Sequence, residues 1–429
     1  MKTISWGALL LSLTLMTAPA TAQGSTKGSG NPFEQSKFVP DISLIVDVSA
    51  AYRNFLDSRY EQFAIPGFSS PYADNPAEEL EGMNGRRGFN FNYGELVLYS
   101  VVDPYFDLFG VFTLNEDEFG VEEAYFTTRF LPYGLKVKGG KFLSHFGRIN
   151  EQHTHYWDFA NAPLVHNVFF GESMLNDKGF RLTWVPPTDF YLLFGGEIMQ
   201  GENAMSYGHD GIANPAGDTV IEEAGGPNMF VAYVKTSLDV GNLTILGGVS
   251  NAYGSTRSNH GLDVAGEPGE AVSGDTNVLG GDLTFKYMFD SIRYVSIQGE
   301  YVYRHFNGRQ YTKDETDTVS DQALKRRQGG LYAQVVGRLT KRWRMGGRLD
   351  LLHLNNIYLE HIKQDHPSNL PRFTTMLEYN PTEFSRLRLQ YSYDRSRFEL
   401  LSAGDLRRPT HELVFQINLA IGAHGAHAF

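Results

Sequence analysis

The C-terminal segment, residues 411–429, constrains the fold of this chain more than any other segment does. It begins with a regular alternation of apolar and polar residues. The apolar positions are Leu413, Phe415, Ile417, Leu419 and Ile421, and the polar ones include Glu412, Gln416 and Asn418. A β-strand with this period of two has one apolar face and one polar face. Such a strand fits a barrel with lipid outside and a watery lumen inside, or an ordinary β-sandwich.

The N-terminus has the pattern of a secretory signal peptide. Lys2 precedes an apolar run over residues 4–16, and Ala20-Thr21-Ala22 supplies the small residues of a cleavage site. We expect residues 1–22 to be removed during export and residues 23–37 to form a short periplasmic segment. After residue 22, no apolar stretch of the sequence reaches the roughly eighteen residues that a membrane helix needs, so a membrane crossing must use strands.

The composition excludes several classes of protein. The chain has no cysteine, which rules out disulfides and thiolate metal sites. Its formal net charge of −12 argues against nucleic acid as a partner. The 45 glycines, 13% aromatic residues and only 41% hydrophobic residues are typical of a barrel with a polar lumen and aromatic girdles.

Sixteen segments of the chain have strand-like patterns. They span residues 38–53, 88–102, 105–114, 119–130, 135–142, 178–186, 189–199, 228–239, 242–253, 277–289, 291–304, 328–341, 343–354, 371–379, 384–396 and 411–421. The connections between them alternate over most of the chain between tight turns and long loops, the long ones being 54–87, 143–177, 200–227, 254–276 and 305–327. This alternation indicates short periplasmic turns and long outer loops. We therefore predict an all-β fold, a transmembrane antiparallel β-barrel of about 16 strands over residues 38–429.

The polar faces of these strands carry many charges, which must point into the lumen. An arginine on the lipid face near the middle of the membrane would cost about 2–4 kcal/mol. The predicted lining consists of Arg148, Arg338, Arg344, Arg348, Arg372, Arg386 and Arg388, with Glu300 and Asp350 among the opposing carboxylates. Sixteen strands enclose a water-filled channel, so passive passage of small hydrophilic solutes is expected. Two interpretations of the arginines stay open: a cationic pore that favours anions, or a wall stiffened by ion pairs.

The long segment 143–177 is rich in aromatic and apolar residues, so we expect it to fold into the barrel and form the constriction. Gly140-Lys141-Phe142 leads into the turn Phe146-Gly147-Arg148. Here the chain resembles bacterial outer-membrane porins of the phosphate-selective group, although the lysine-rich ladder of that group is not evident. The terminal Phe429 also resembles the closing signal of outer-membrane barrels.

The resemblance implies a porin in the bacterial outer membrane. The expected partners are outer-membrane lipid, small hydrophilic solutes or anions, and the barrel-assembly machinery. No nucleic acid is among them. A barrel of this size is also compatible with a homotrimer, although the sequence identifies no subunit face.

Histidines in the same segment suggest a metal site. The candidate ligands are His145, His153, His155, Asp158 and His166, and zinc or copper would accept them. In an extended backbone, His153 and His155 would point to the same side. The chain also resembles outer-membrane proteins described as zinc-regulated, whereas the plainer interpretation is that these histidines are solvated or hydrogen-bonded. His424 and His427 form a second, weaker pair.

Other functions compete with that of a porin. An active receptor with a globular plug before its first strand does not fit the few residues between 23 and 37. A metal-related receptor or transporter component, and a structural or adhesive barrel, remain alternatives. No catalytic residue is predicted, because Ser144-His145 and His209-Asp210 are neighbours in sequence only and no nucleophile motif occurs.

Overall fold

The structure is a computed structural model that describes residues 40–68, 83–116, 119–203, 205–399 and 405–422. Statements about contacts refer to these residues. The predicted signal peptide 1–22, the segment 23–37, His424, His427 and Phe429 lie outside the described residues.

Sixteen long strands form one closed antiparallel barrel. They are β1 (Asp41–Arg53), β2 (Gly88–Val101), β3 (Phe106–Leu114), β4 (Phe119–Thr128), β5 (Leu135–Leu143), β6 (Asn176–Trp184), β7 (Tyr191–Met199), β8 (Met229–Val240), β9 (Leu243–His260), β10 (Gly269–Met288), β11 (Tyr294–Lys313), β12 (Val319–Arg338), β13 (Trp343–Leu359), β14 (Leu370–Thr382), β15 (Ser385–Asp394) and β16 (Thr410–Gly422). Each pairs with the next strand in the chain, and β16 pairs with β1 from Gly422–Ser43 to Glu412–Arg53. The predicted sixteen-stranded barrel is confirmed.

The two ends of the barrel differ as the sequence predicts, with one correction. Short turns such as 102–105, 241–242 and 339–342 define the turn end, and segments such as 54–87 and 144–175 define the loop end. The long loops predicted at 254–276 and 305–327 are wrong: β9 to β12 continue through them, and only 261–268 and 314–318 connect the strands. These extensions, for example 255–259, are polar on both faces, so they lack the alternation of a half-apolar strand.

The outer surface of the barrel is a belt of exposed apolar side chains at every second strand position. Examples are Leu377, Leu389, Leu413 and Phe415, each more than 40% exposed. Tyr133, Trp184, Phe289 and Trp343 stand exposed near the turn end, where an aromatic girdle is expected. No helix among the described residues is long and apolar enough to cross a membrane.

Residues 144–175, which we call the inward loop, lie inside the barrel. The inward loop contains a 3₁₀ turn (Thr154–Tyr156) and a helix, α2 (Leu164–Phe170), while α1 (Asp57–Tyr60) and small two- and three-stranded sheets lie at the loop end. Buried apolar side chains of the inward loop pack on those of β7 to β14 in one cluster that includes Phe146, Leu164, Phe169, Val278, Val302 and Leu352. This half of the lumen is therefore filled by a packed core, and open space is left on the other side of the loop.

Candidate functional site

The inward loop is fixed to the wall by a buried carboxylate on β11. Glu300 accepts hydrogen bonds from the backbone nitrogens of Arg148 and Ile149, both at 2.9 Å, and from the Tyr332 hydroxyl at 2.6 Å. Gly147 has a left-handed φ of +61°, and a Cβ there would lie 2.2 Å from Glu300 Oε2. The local sequence therefore needs glycine at 147. Glu300, predicted to line the pore, is an anchor of the loop instead.

Three further wall residues hold the loop in the same way. Glu197 accepts from the Ser144 hydroxyl at 2.6 Å and Asp350 accepts from the Leu164 backbone at 2.8 Å. Gln390 accepts from the Ala160 backbone at 2.7 Å. Hydrogen bonds to buried carboxylates are strong ones, so the loop is docked around most of the lumen.

The predicted lumenal arginines of β13 to β15 are at the contact between this loop and the wall, and they are paired. Arg348 and Arg372 share Asp350 at 3.0 and 3.2 Å, whereas Arg344 and Arg388 share Glu378 at 2.8 and 3.0 Å. Three of them also donate to loop carbonyl oxygens: Arg348 to Asn161, Arg372 to Ala162 and Arg388 to Trp157. Arg344 makes a further ion pair with Asp158.

These contacts decide between the two interpretations of the arginines. The residues Arg344, Arg348, Arg372, Arg386 and Arg388 are each at most 8% exposed. Arg386 lies 4.0 Å from Glu378 and has no hydrogen-bond partner among the described residues. Arg344, Arg348, Arg386 and Arg388 are therefore corrected from a cationic pore lining to a clamp between wall and loop. Arg372 belongs to the same clamp and also borders the cavity described below.

Three further cationic side chains, which are only partly buried, lie closer to the turn end. Lys286 and Arg338 lie beside the ring of Tyr294, at 4.5 and 5.6 Å from its centroid, and Lys286 is within electrostatic range of Arg148. The Arg148 side chain is 36% exposed and lies 3.7 Å from Glu151. Sequence analysis identified Arg148 and Arg338 but missed Lys286, whose position on the inward parity of β10 could have revealed it.

A cavity of about 710 Å³ lies between the inward loop and the inner faces of β1 to β6 and β14 to β16. Its lining contains more carboxylates than cationic side chains and includes Glu95, Glu122, Lys141, Gln152, Trp157 and Glu412. It also includes Gly85 and Glu202 of loop-end segments, so the cavity lies on the loop-end side of the inward loop.

One group of side chains joins the inward loop to the opposite wall. His153 Nε2 lies 2.9 Å from Glu123 Oε2, and its Nδ1 lies 3.4 Å from Glu122 and 4.0 Å from Glu95. His155 Nδ1 lies 3.2 Å from the other oxygen of Glu95. Burial alone would lower the pKa of His153, but the hydrogen bonds that the protonated ring donates to Glu122 and Glu123 outweigh it and hold the pKa well above the ordinary value.

The five predicted metal ligands are not brought together. His153 and His155 are neighbours with stacked rings 5.7 Å apart. His145 instead pairs with Glu151, His166 lies 3.5 Å from Glu300, and Asp158 pairs with Arg344. Around His153 and His155 the structure places three carboxylates that sequence analysis missed, those of Glu95, Glu122 and Glu123. The adjacent pair Glu122-Glu123 gave no clear signal, because in a regular strand its members face opposite sides.

Comparisons with known proteins identify a relative by sequence and similar folds among solved structures. No protein-family model matches the chain. A protein of Aquifex aeolicus (strain VF5), described as uncharacterized, is 47% identical over 399 residues, which cover 93% of this chain and 82% of that protein.

Among solved structures, a loop L8 deletion mutant of OmpT, an outer membrane protein of Vibrio cholerae, has a TM-score of 0.51 at 9% identity and covers 90% of this chain and 100% of its own. The outer membrane channel DcaP of Acinetobacter baumannii has a TM-score of 0.51 at 10% identity, with 90% and 99% covered. The chain shares their barrel fold.

Proposed function

The chain belongs to the same family as the Aquifex aeolicus protein, and from that premise and its barrel fold we propose that it is an outer-membrane channel of the porin type, through which small hydrophilic solutes diffuse passively. The observation that carries this proposal is a closed barrel, apolar outside and polar inside, that is narrowed but not filled by its inward loop. Such a loop sets a size limit for solutes while the apolar belt meets lipid.

The proposed path follows the side of the lumen that the packed core leaves open. A solute would enter the 710 Å³ cavity between the inward loop and β1 to β6 and pass the contact of the loop with this wall. It would leave through the turn end, where Lys286 and Arg338 stand on the opposite wall, on β10 and β12, and Arg148 lies on the loop. The narrowest point would be the line of contact between His153 and the carboxylates of β2 and β4. Transient opening of that contact would let solutes pass.

The charge preference we propose is a mild one for anions, carried by the exposed cations and not by the buried arginines. Lys286 and Arg338 have no ion pair within the described ranges, and a narrow aqueous exit between low-dielectric walls focuses their field. The carboxylates of the outer cavity oppose this effect, so a weak preference is expected. We propose no enzymatic activity.

The partners follow from the same proposal. The apolar belt would contact outer-membrane lipid, and the exported chain would be folded by the barrel-assembly machinery. A homotrimer remains our prediction for the assembly, to be checked by the mass of the detergent-solubilised protein.

The test is conductance of the full-length protein in planar bilayers, recorded with EDTA so that trace metal has no influence. We expect discrete ohmic steps, and swelling of proteoliposomes in small sugars but not in large ones. Folding is verified first by the strand signal in circular dichroism. A folded barrel that neither conducts nor swells liposomes overturns the channel and favours a structural or adhesive barrel.

A further inference from the structure

We propose that Glu95, Glu122 and His153 form a binding site for a divalent first-row transition-metal ion, with zinc as the probe, at the contact between the inward loop and the barrel wall. The site comprises one imidazole nitrogen and two carboxylate oxygens, which lie within 4.8 Å of one another. Oxygen and imidazole ligands together are what zinc and its neighbours in the series accept, whereas calcium and magnesium prefer oxygen alone.

The two nitrogens of His153 have different surroundings, as in a metal-ligating histidine. Nδ1 faces Glu122 at 3.4 Å and Glu95 at 4.0 Å, and Nε2 faces Glu123 at 2.9 Å. Glu123 is itself held by the Leu143 backbone N–H at 2.8 Å. A metal would replace the proton on Nδ1, and the carboxylate on the far nitrogen would keep the remaining proton on Nε2 and so fix the ligating tautomer.

Glu95 is oriented in a similar way. One of its oxygens faces His153, while the other lies 3.2 Å from His155 Nδ1. Both Glu95 and His155 are at most 2% exposed, so this orienting contact is shielded from water. His155 therefore acts as a positioning residue for Glu95.

An irregularity in β4 brings Glu122 to the site. Opposite β3, Val111 pairs with Glu123 and Phe112 pairs with Val121, so Glu122 is the extra residue of a β-bulge. The bulge lets two successive glutamates approach the same histidine, which a regular strand would forbid. Bulges are frequent next to functional sites for this reason.

The arrangement leaves room for a fourth ligand. Glu95 and Glu122 line the 710 Å³ cavity, and the Glu122 side chain is 20% exposed. Three protein ligands with one position open to water are typical of a site that exchanges its ligand rather than of a closed structural site. In tetrahedral coordination, ligand atoms come to about 3.3–3.5 Å from one another, so only small side-chain shifts are needed.

The test measures binding and does not depend on whether the barrel conducts. Full-length protein without an affinity tag, carrying His424→Asn and His427→Asn so that the C-terminal histidines do not bind, is freed of metal and titrated calorimetrically with zinc chloride. Cobalt(II) is added in parallel, because its visible spectrum reports the donor atoms. We expect one zinc per chain and a tetrahedral or five-coordinate cobalt spectrum.

Variants assign the ligands. His153→Gln and Glu122→Gln should weaken zinc binding by more than 100-fold, and Glu123→Gln, which removes only the orienting contact, by about 10–100-fold. The matched control is His145→Gln, which removes another histidine–glutamate pair of the inward loop and should leave the affinity unchanged. Circular dichroism confirms that each variant is folded.

Two results would overturn the site: no zinc bound by the folded parent protein, or binding of undiminished affinity in His153→Gln and Glu122→Gln. A bound metal would also hold the inward loop against the wall and so regulate the channel, and this part of the inference rests on the proposed channel function. A protein that binds zinc but never conducts would refute the channel and leave the site standing.

Discussion

Glu300 holds the inward loop at Arg148, whose backbone nitrogen lies 2.9 Å from the buried carboxylate. Glu300 is almost fully buried, so breaking these hydrogen bonds would leave an unpaired buried carboxylate, which is costly. The neighbouring Gly147 makes this close approach sterically feasible. This attachment of the inward loop therefore depends on one glycine and one glutamate that are 153 residues apart in sequence.

Replacing Gly147 with alanine should release this part of the loop. The left-handed backbone costs an alanine about 1–2 kcal/mol, and the new Cβ would collide with Glu300. We expect larger and noisier single-channel currents and faster proteolysis within residues 144–175. Gly217→Ala is the control, since Gly217 also has a left-handed φ but a Cβ there meets no atom within 4 Å. Equal effects of both substitutions would contradict the anchoring role.

The sequence predicted the barrel well, because lipid outside and water inside impose alternation on every spanning strand. It failed at 254–276 and 305–327, where strands project beyond the apolar belt and alternation is no longer required. It placed Arg348 and Arg388 on the inward parity but could not show that they also bind the inward loop, since their partners there are backbone carbonyls more than 180 residues away. Glu122 was hidden because its orientation depends on a bulge, which depends on tertiary pairing.

Replacing Glu378 with glutamine should destabilise the barrel. Arg344 and Arg388 would lose the buried carboxylate that they share, and breaking a buried ion pair costs about 3–5 kcal/mol. Unfolding in guanidinium, followed by tryptophan fluorescence, should show an earlier midpoint. The control is Glu383→Gln in the exposed turn before β15. Adding Arg388→Gln to the Glu378 variant should recover part of the loss, and a strictly additive double variant would argue against the clamp.

Replacing Lys286 and Arg338 with glutamine should move the reversal potential in a salt gradient towards cation preference. Both side chains lie beside Tyr294 near the proposed exit and carry charge that no described carboxylate pairs with. The control Arg309→Gln/Lys363→Gln removes the same charge from side chains at the loop end, outside the lumen. The anion proposal fails if the two double variants behave alike, or if neither differs from the parent protein.

Zinc should close the channel by tightening the contact between the inward loop and β4. A ligand that binds only the docked loop stabilises docking by about 2.7 kcal/mol at one hundred times its dissociation constant, so the undocked population should fall by about 100-fold. We expect fewer or smaller current steps in zinc, with recovery when EDTA is added.

The Glu122→Gln variant separates this mechanism from a general effect of zinc on the bilayer or on the pore mouth. Its side chain keeps the size of glutamate but lacks the charge needed to bind the metal. The variant's own conductance without metal is the baseline for its block by zinc, and His153 keeps its contact with Glu123 at 2.9 Å. A block by zinc that is equally strong in this variant would show that the metal acts elsewhere on the chain.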